Sequence, residues 1–159
     1  NAILVYGIPT SVITAAKKAF GNNLTFHHQS QITIESILQA NKNKPGKKVY
    51  AIVHSGELEI LVSDGHQLIL YNVYSYQTTD EAVYHIMNTL EVLQLNPEFV
   101  PVVLGGHAYK NSALYELVFK YVRHTEHLPL PELASYTYPI TELPAHRFYS
   151  LFAQVVCAS

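Results

Sequence analysis

The stretch from Lys48 to Tyr76, KVYAIVHSGELEILVSDGHQLILYNVYSY, restricts the fold more than any other part of the chain. Three runs rich in β-branched and aromatic residues are separated by Ser55-Gly56 and Asp64-Gly65, and glycine-containing pairs between such runs are hairpin turns. The stretch therefore predicts an antiparallel meander. In the second run Leu58, Ile60 and Val62 alternate with Glu57, Glu59, Leu61 and Ser63. Strand side chains point alternately to opposite sides, so this run has one apolar and one mixed face. The third run interleaves Leu68 and Leu70 with Ile69, Tyr71 and Val73, which predicts a strand covered on both faces, central in its sheet or packed under helices.

Residues 1–44 read as two strand-then-helix units. Ile3 to Ile8 is a short apolar run, and a helix from Ser11 to Phe20 places Val12, Ala15, Ala16 and Ala19 on one face before Gly21-Asn22-Asn23 stops it. Leu24 to His28 reads as a second strand, and Ser30 caps a helix in which Ile34, Ile37 and Leu38 point the same way. The polar run from Asn41 to Lys48, with Pro45-Gly46 inside it, has the composition of a linker.

Beyond the meander, Thr78-Thr79-Asp80-Glu81 is a capping box that opens a helix carrying Val83, Ile86, Leu90 and Leu93, ended by Asn96-Pro97. Val100 to Leu104 is a buried strand bounded by Gly105-Gly106, and a helix from Asn111 to His124 turns Leu114, Leu117, Val118 and Tyr121 inward. Leu128 to Leu133 reads as an edge strand because of Pro129 and Pro131. Tyr136 to Pro144 is a loop, and Pro144 opens a terminal helix through Phe148, Leu151, Phe152 and Val155.

Meander, helix, strand, helix, strand, helix is the order of the ribonuclease H-like and actin-like folds, α/β structures in which crossovers add parallel strands beside the first strand of the meander. On this reading residues 45–159 form a ribonuclease H-like subdomain, and residues 1–44 are the end of a preceding, similar one. A start at Asn1-Ala2 without methionine fits a cloning scar or a piece cut from something longer.

Composition narrows the function classes. A content of 48% hydrophobic and 14% charged residues belongs to a globular chain, and a net charge of -2 offers no electrostatic case for nucleic acid or an anionic membrane. The one cysteine, Cys157, excludes an internal disulfide framework and points to a reducing, cytoplasmic setting. No apolar run approaches the ~20 residues that span a bilayer.

The segments LILYNVYSYQTTDEAVYHIM, VLQLNPE, VPVVLGGH, ALYELVFKYVR and PAHRFYSLF resemble an uncharacterised bacterial family known only as a domain of unknown function (DUF3822-like), with an actin-like ATPase fold and an outline similar to pilus-assembly proteins. The resemblance runs from about Ile3 to Phe152 and implies a nucleotide site between two subdomains. Active members of the superfamily carry Asp-x-Gly at the first hairpin of each meander, where the carboxylate organises Mg²⁺ and the backbone cradles phosphate. Here that place is His54-Ser55-Gly56. A neutral imidazole is a poor ligand for a hard cation, and Glu57 and Glu59 would repel phosphate. Leu104-Gly105-Gly106-His107-Ala108 is similar to the glycine-rich turn that contacts adenosine. The resemblance thus implies Gly56, Gly105 and Gly106 as the cofactor-binding positions of a degenerate site, with no cofactor, metal or catalytic residue expected.

The other chemistry-bearing residues have plain readings. Nine histidines, including His27-His28, His85 and His124-x-x-His127, read as surface, cap or structural residues. Lys42, Lys44, Lys47 and Lys48 read as a solvated connector, and Tyr71, Tyr74, Tyr76 and Tyr84 as rings closing the core or a surface for a protein partner. Ser55 beside His54 lacks a nucleophile motif, Cys157 is poorly placed as a nucleophile, and Glu57 and Glu59 read as a solubilising strand face. The expectation is a non-catalytic actin-like module that acts through an unidentified protein partner or as a homo-oligomer, without nucleic acid or membrane. The alternatives are an ATP-binding protein whose cleft needs a further N-terminal half, and a histidine-based metal protein.

Overall fold

The computed structural model describes residues 4–131 and 136–157. Its centre is a five-stranded mixed sheet in the order β3-β2-β1-β4-β5, built from β1 (Lys47–Val53), β2 (Glu57–Asp64), β3 (Gln67–Ser75), β4 (Val102–Gly106) and β5 (Thr125–His127). The meander pairs antiparallel, Val53 opposite Leu58 and Glu57 opposite Ser75. β4 then lies parallel to β1, with Val53 opposite Gly106, and β5 lies parallel to β4. The ribonuclease H-like order expected from the alternation of elements is present, with the crossover strands beside the first strand of the meander.

Helices cover both faces. On one, Val49, Ala51, Val53, Leu58, Ile60 and Val62 meet Ala82, Val83, Ile86 and Leu90 of α3 (Thr79–Val92) and Leu114 and Val118 of α4 (Ala113–Tyr121). Helix α3 opens with the expected capping box: the Thr78 side chain accepts from Glu81 N, and the Glu81 carboxylate accepts from Thr78 N. On the other face Tyr50, Ile52, Leu61 and Val103 meet Ile37 of α2 (Gln29–Ala40) and Tyr149 and Ala153 of α6 (Ala145–Cys157).

Several elements differ from expectation. β3 is an edge strand, not a central one: only β2 pairs with it, and much of it is exposed. Residues 4–8 and Leu24 to His28 form no strand, because neither segment has a strand to pair with among the described residues; Tyr6 OH donates to Phe26 O without a ladder between the segments. Helix α1 (Thr10–Phe20) forms as expected but buries no residue: Val12, Ala15 and Ala19 are exposed and Ala16 is half-buried. Gly105 and Gly106 lie inside β4 and do not bound it. Tyr121 faces solvent because α4 ends there, after its buried residues Leu114 and Val118. The last strand falls at Thr125–His127; Leu128 N still donates to Leu104 O at 2.9 Å, and Pro129 and Pro131 beyond it have no N–H to extend the ladder. Leu133 lies outside the described residues, and the expected loop contains a short helix, α5 (Tyr138–Thr141).

The docking face of α2 is the largest surprise. Ile34 and Leu38 are only half-buried, whereas Ser30, Thr33, Ser36 and Ile37 are buried, followed by Asn41 just past the helix. Their polar atoms are paired: Thr33 donates to Ser150 Oγ, Ser36 Oγ and Tyr149 OH lie 2.9 Å apart, and Asn41 Nδ2 donates to Ile37 O and Tyr50 OH at 2.6 and 2.7 Å. Buried polar groups are tolerated when hydrogen-bonded, and these bonds fix the helix against the sheet and α6. Ser30 is not the cap. The His28 side chain takes that role, accepting from Ser30 N at 3.2 Å.

Candidate functional site

The carboxyl ends of the parallel strands β1, β4 and β5 lie together at one end of the sheet. In open α/β sheets this is where ligands bind. The first hairpin and the glycine pair meet here: His107 N donates to Val53 O at 2.8 Å, so the turn after β4 is tied to the strand end that leads into His54-Ser55-Gly56.

The hairpin is clamped from within. His54 N donates to Glu57 O at 2.8 Å, Tyr76 N to Gly56 O at 3.0 Å, and Tyr76 OH to His54 O at 2.6 Å. Gly56 holds φ at +78°, a left-handed conformation that side chains disfavour and that the tight hairpin demands. The glycines of β4 answer to packing. A Cβ at Gly106, where φ is +68°, would fall 2.1 Å from Val53 O. One at Gly105 would meet Leu128 Cδ2 at 3.2 Å and Ile52 Cγ1 at 3.3 Å, with His146 O, in the first turn of α6, at 3.7 Å. On the Cβ side of these glycines stand Ile52 and Val53 of β1, Leu128 and the His146 carbonyl. The residues present do not fit a Mg²⁺-nucleotide complex held as the Asp-x-Gly pattern would hold it.

His54 belongs to a charged network instead. Its Nε2 lies 2.7 Å from Glu59 Oε1, and the other carboxylate oxygen accepts from Tyr71 OH at 2.8 Å. Tyr71 also contacts Ser30 Oγ; because its one proton goes to Glu59, the serine hydroxyl donates to it. Glu59 is thus no solubilising residue as its strand pattern suggested: it is 7% exposed, under the start of α2, while Glu57 faces solvent. Burial raises the Glu59 pKa, but the hydrogen bonds from His54 and Tyr71, with the positive fields of His54 and His28, more than offset this and leave it below the usual carboxylate range. The same hydrogen bond raises His54, prevailing over burial, with the fields of Glu59 and Glu57 adding to it. Burial, with the two glutamates, pushes Tyr71 above the usual tyrosine range and keeps it a donor.

A second histidine group stands beside the glycine pair. His127 Nε2 donates to Ala108 O at 2.7 Å, and its ring stacks on Tyr115 with centroids 5.0 Å apart. His146 lies 4.4 Å from His127, ring to ring, and its Nε2 is buried with no hydrogen-bond partner. His124 is exposed, so His124-x-x-His127 does not converge, and no group of three metal-ligating side chains occurs among the described residues. His85 stacks on Tyr74 at 4.3 Å as a structural residue. Tyr71, Tyr74 and Tyr76 are partly buried against the two cores, while Tyr84 is exposed. The side chain of Cys157 lies outside the described residues.

Burial, together with the nearby His127, lowers the His146 pKa. A histidine lowered in the folded state stabilises it fully above its ordinary value of 6.5 and loses that contribution as pH falls towards the folded value. Replacing His146 with Leu is expected to flatten the loss of stability below that pH, measured as denaturant midpoints from pH 7 down to 5.

Sequence patterning missed Glu59, Tyr71, Ser30 and His146 as members of these groups. One signal was present: Ser30, Thr33 and Ser36 recur at three-residue spacing, a hydroxyl stripe along one helix face.

The chain belongs to a family described as a protein of unknown function (DUF3822), whose profile matches residues 1–125. Among solved structures it is similar to a Bacteroides thetaiotaomicron protein with an actin-like ATPase fold and unknown function, at TM-score 0.77 and 21% identity, covering 96% of this chain and 53% of that one. It is also similar to the PilM-PilN type IV pilus biogenesis complex, at TM-score 0.59 and 13% identity, covering 92% of this chain and 57% of that one. The chain therefore has an actin-like fold and spans little more than half the length of these structures. No curated protein matches it. No helix among the described residues is long and apolar enough to cross a membrane.

Proposed function

We propose that this chain is a non-catalytic actin-like module that acts through protein contacts, its nucleotide site reduced to Gly56, Gly105 and Gly106. The observation that carries this reading is the commitment of His54 to Glu59: the hairpin position that would present a carboxylate to Mg²⁺ holds an imidazole, and the nearest buried carboxylate is already bonded to His54 and Tyr71. Residues 45–159 are the ribonuclease H-like subdomain, and residues 1–44 are the end of a preceding one whose helix α2 caps its neighbour's sheet. The setting is cytoplasmic, in keeping with a single cysteine. A protein partner fits the fold's likeness to a chain of the PilM-PilN type IV pilus biogenesis complex.

The second reading, ATP binding in a cleft completed by a further N-terminal half, draws on the coverage of only 53% and 57% of the similar structures. Calorimetry of the natural full-length protein with ATP and Mg²⁺ separates the two. No heat of binding is expected, and micromolar affinity would establish the second reading in place of the first.

A further inference from the structure

We infer that the first turn of α6 is an acid-released lid over the glycine pair of β4, held shut at neutral pH by the contact of His146 with His127. The inference goes beyond the protein-contact reading: it concerns a movement at the carboxyl end of the sheet and requires neither a nucleotide nor a partner.

The first turn is seated differently from the rest of its helix. The His146 carbonyl stands 3.7 Å from the place a Cβ would take at Gly105. The His146 ring packs on His127 of β5, centroids 4.4 Å apart, and edge-on to Tyr109 of the loop after β4, at 5.5 Å. Its Nε2 is buried with no hydrogen-bond partner. From Tyr149 onward the helix is anchored by polar bonds and burial: Tyr149 OH lies 2.9 Å from Ser36 Oγ, Ser150 Oγ accepts from Thr33, and Ala153 is fully buried. The first turn can lift while the remainder stays docked.

Acid acts on the turn through the His146 ring. An imidazolium carries N–H on both nitrogens, so protonation leaves a charged donor at the buried Nε2, where no acceptor waits. The surroundings add like charge. His127 faces the ring from β5, with its own Nε2–H committed to Ala108 O and Tyr115 of α4 stacked behind it. Arg147 follows on the helix, its guanidinium over Tyr109, and a helix N-terminus repels a cation in its first turn. His107 and Lys110 in the loop after β4, and Glu142 ahead of the helix, face solvent, and the charge that acts on His146 is that of His127. Lifting the turn brings the ring into water, where its charge is solvated. The hairpin beside it responds in the opposite sense. Between pH 4.5 and 6.5 the His54–Glu59 pair is at full strength, so the clamp on that side holds while the lid loosens.

Amide NMR of the chain at pH 7.5 and 5.5 tests the inference, read as exchange rates corrected for the intrinsic effect of pH. The Arg147 amide donates to Pro144 O at 3.0 Å when the turn is closed. Protection of Arg147 and Phe148 is expected to fall along the titration of the His146 imidazole, by up to about tenfold one pH unit below its ordinary value of 6.5. Tyr76 in the hairpin, and Tyr50 and Leu61 in the core, keep theirs. His146→Leu, which takes no charge, is expected to stay protected at pH 5.5. His127→Gln retains a donor for Ala108 O but no charge, so the fall is expected to be smaller; it decides the matter alone if His146→Leu does not fold. Unchanged protection of Arg147 and Phe148 overturns the inference. So does an equal fall in His146→Leu, an undiminished one in His127→Gln, or a fall shared by Tyr50 and Leu61, which would be unfolding of the whole chain. No outcome involves ATP, so the lid and the loss of the nucleotide site fail separately.

Discussion

Gly106→Ala is expected to destabilise the chain by at least about 4 kcal/mol, or to abolish cooperative unfolding altogether. The new methyl group would sit 2.1 Å from Val53 O, 2.9 Å from its carbonyl carbon and 3.0 Å from its nitrogen. These are backbone atoms of β1, the central strand, which is bonded on both sides and cannot step away without breaking either the ladder to β2 or that to β4. Positive φ adds a smaller penalty of roughly 1 kcal/mol. Gly105→Ala is expected to cost less, about 1–2 kcal/mol, since the closest neighbours are ends of side chains that can shift by a few tenths of an ångström. Urea unfolding of both variants reads the contrast. Equal, small losses would mean that the second glycine is not required by the sheet.

Glu59→Ala is expected to cost about 3 kcal/mol, because it strips the partner from a buried tyrosine hydroxyl and from His54 at once. Tyr71→Phe should cost about 1–2 kcal/mol, leaving Glu59 with His54 alone and Ser30 without its acceptor. The pH dependence is distinctive. Glu59, lowered in the folded state, contributes stability above its ordinary value of 4.5 and loses it as pH falls through the folded value. His54, raised in the folded state, contributes fully below 6.5 and loses it as pH rises through the folded value. The stability difference between the parent chain and Glu59→Gln should therefore be greatest between pH 4.5 and 6.5 and shrink on both sides. His146, lowered in the folded state, has the slope opposite to that of His54: His146→Leu removes a loss that sets in as pH falls below 6.5, whereas the His54 contribution is lost as pH rises above it.

The part of the fold legible in the sequence was the part encoded locally. Alternation in β2, the turns at Gly56 and Gly65, and the Thr78 capping box are contacts between near neighbours, and the crossover order followed from them. The place of β3 was not legible. Its run of apolar residues reads as doubly covered, yet Ile69 and Val73 are exposed and Leu68, Leu70, Tyr71 and Tyr74 are only partly buried against the cores. The strands expected before residue 29 failed because a strand exists only with a partner, and pairing is a long-range property. Helix α2 was found but its face was misread, since a search for apolar periodicity passes over a helix that docks with hydroxyls and an asparagine. At the candidate site, the substitution of His54 for a carboxylate was plain in the sequence, but its partner was not. Glu59 pairs across the ladder with Ile52, two residues before His54, and only the folded hairpin brings imidazole and carboxylate together.

The most direct test of the claim that this end of the sheet is packed as a scaffold is an amide NMR spectrum of the chain, recorded while Mg²⁺ and ATP are added. The amides of Ser55, Gly56, Gly105, Gly106 and His107 are expected to stay where they are. Saturable shifts at both the hairpin and the glycine pair would contradict the account.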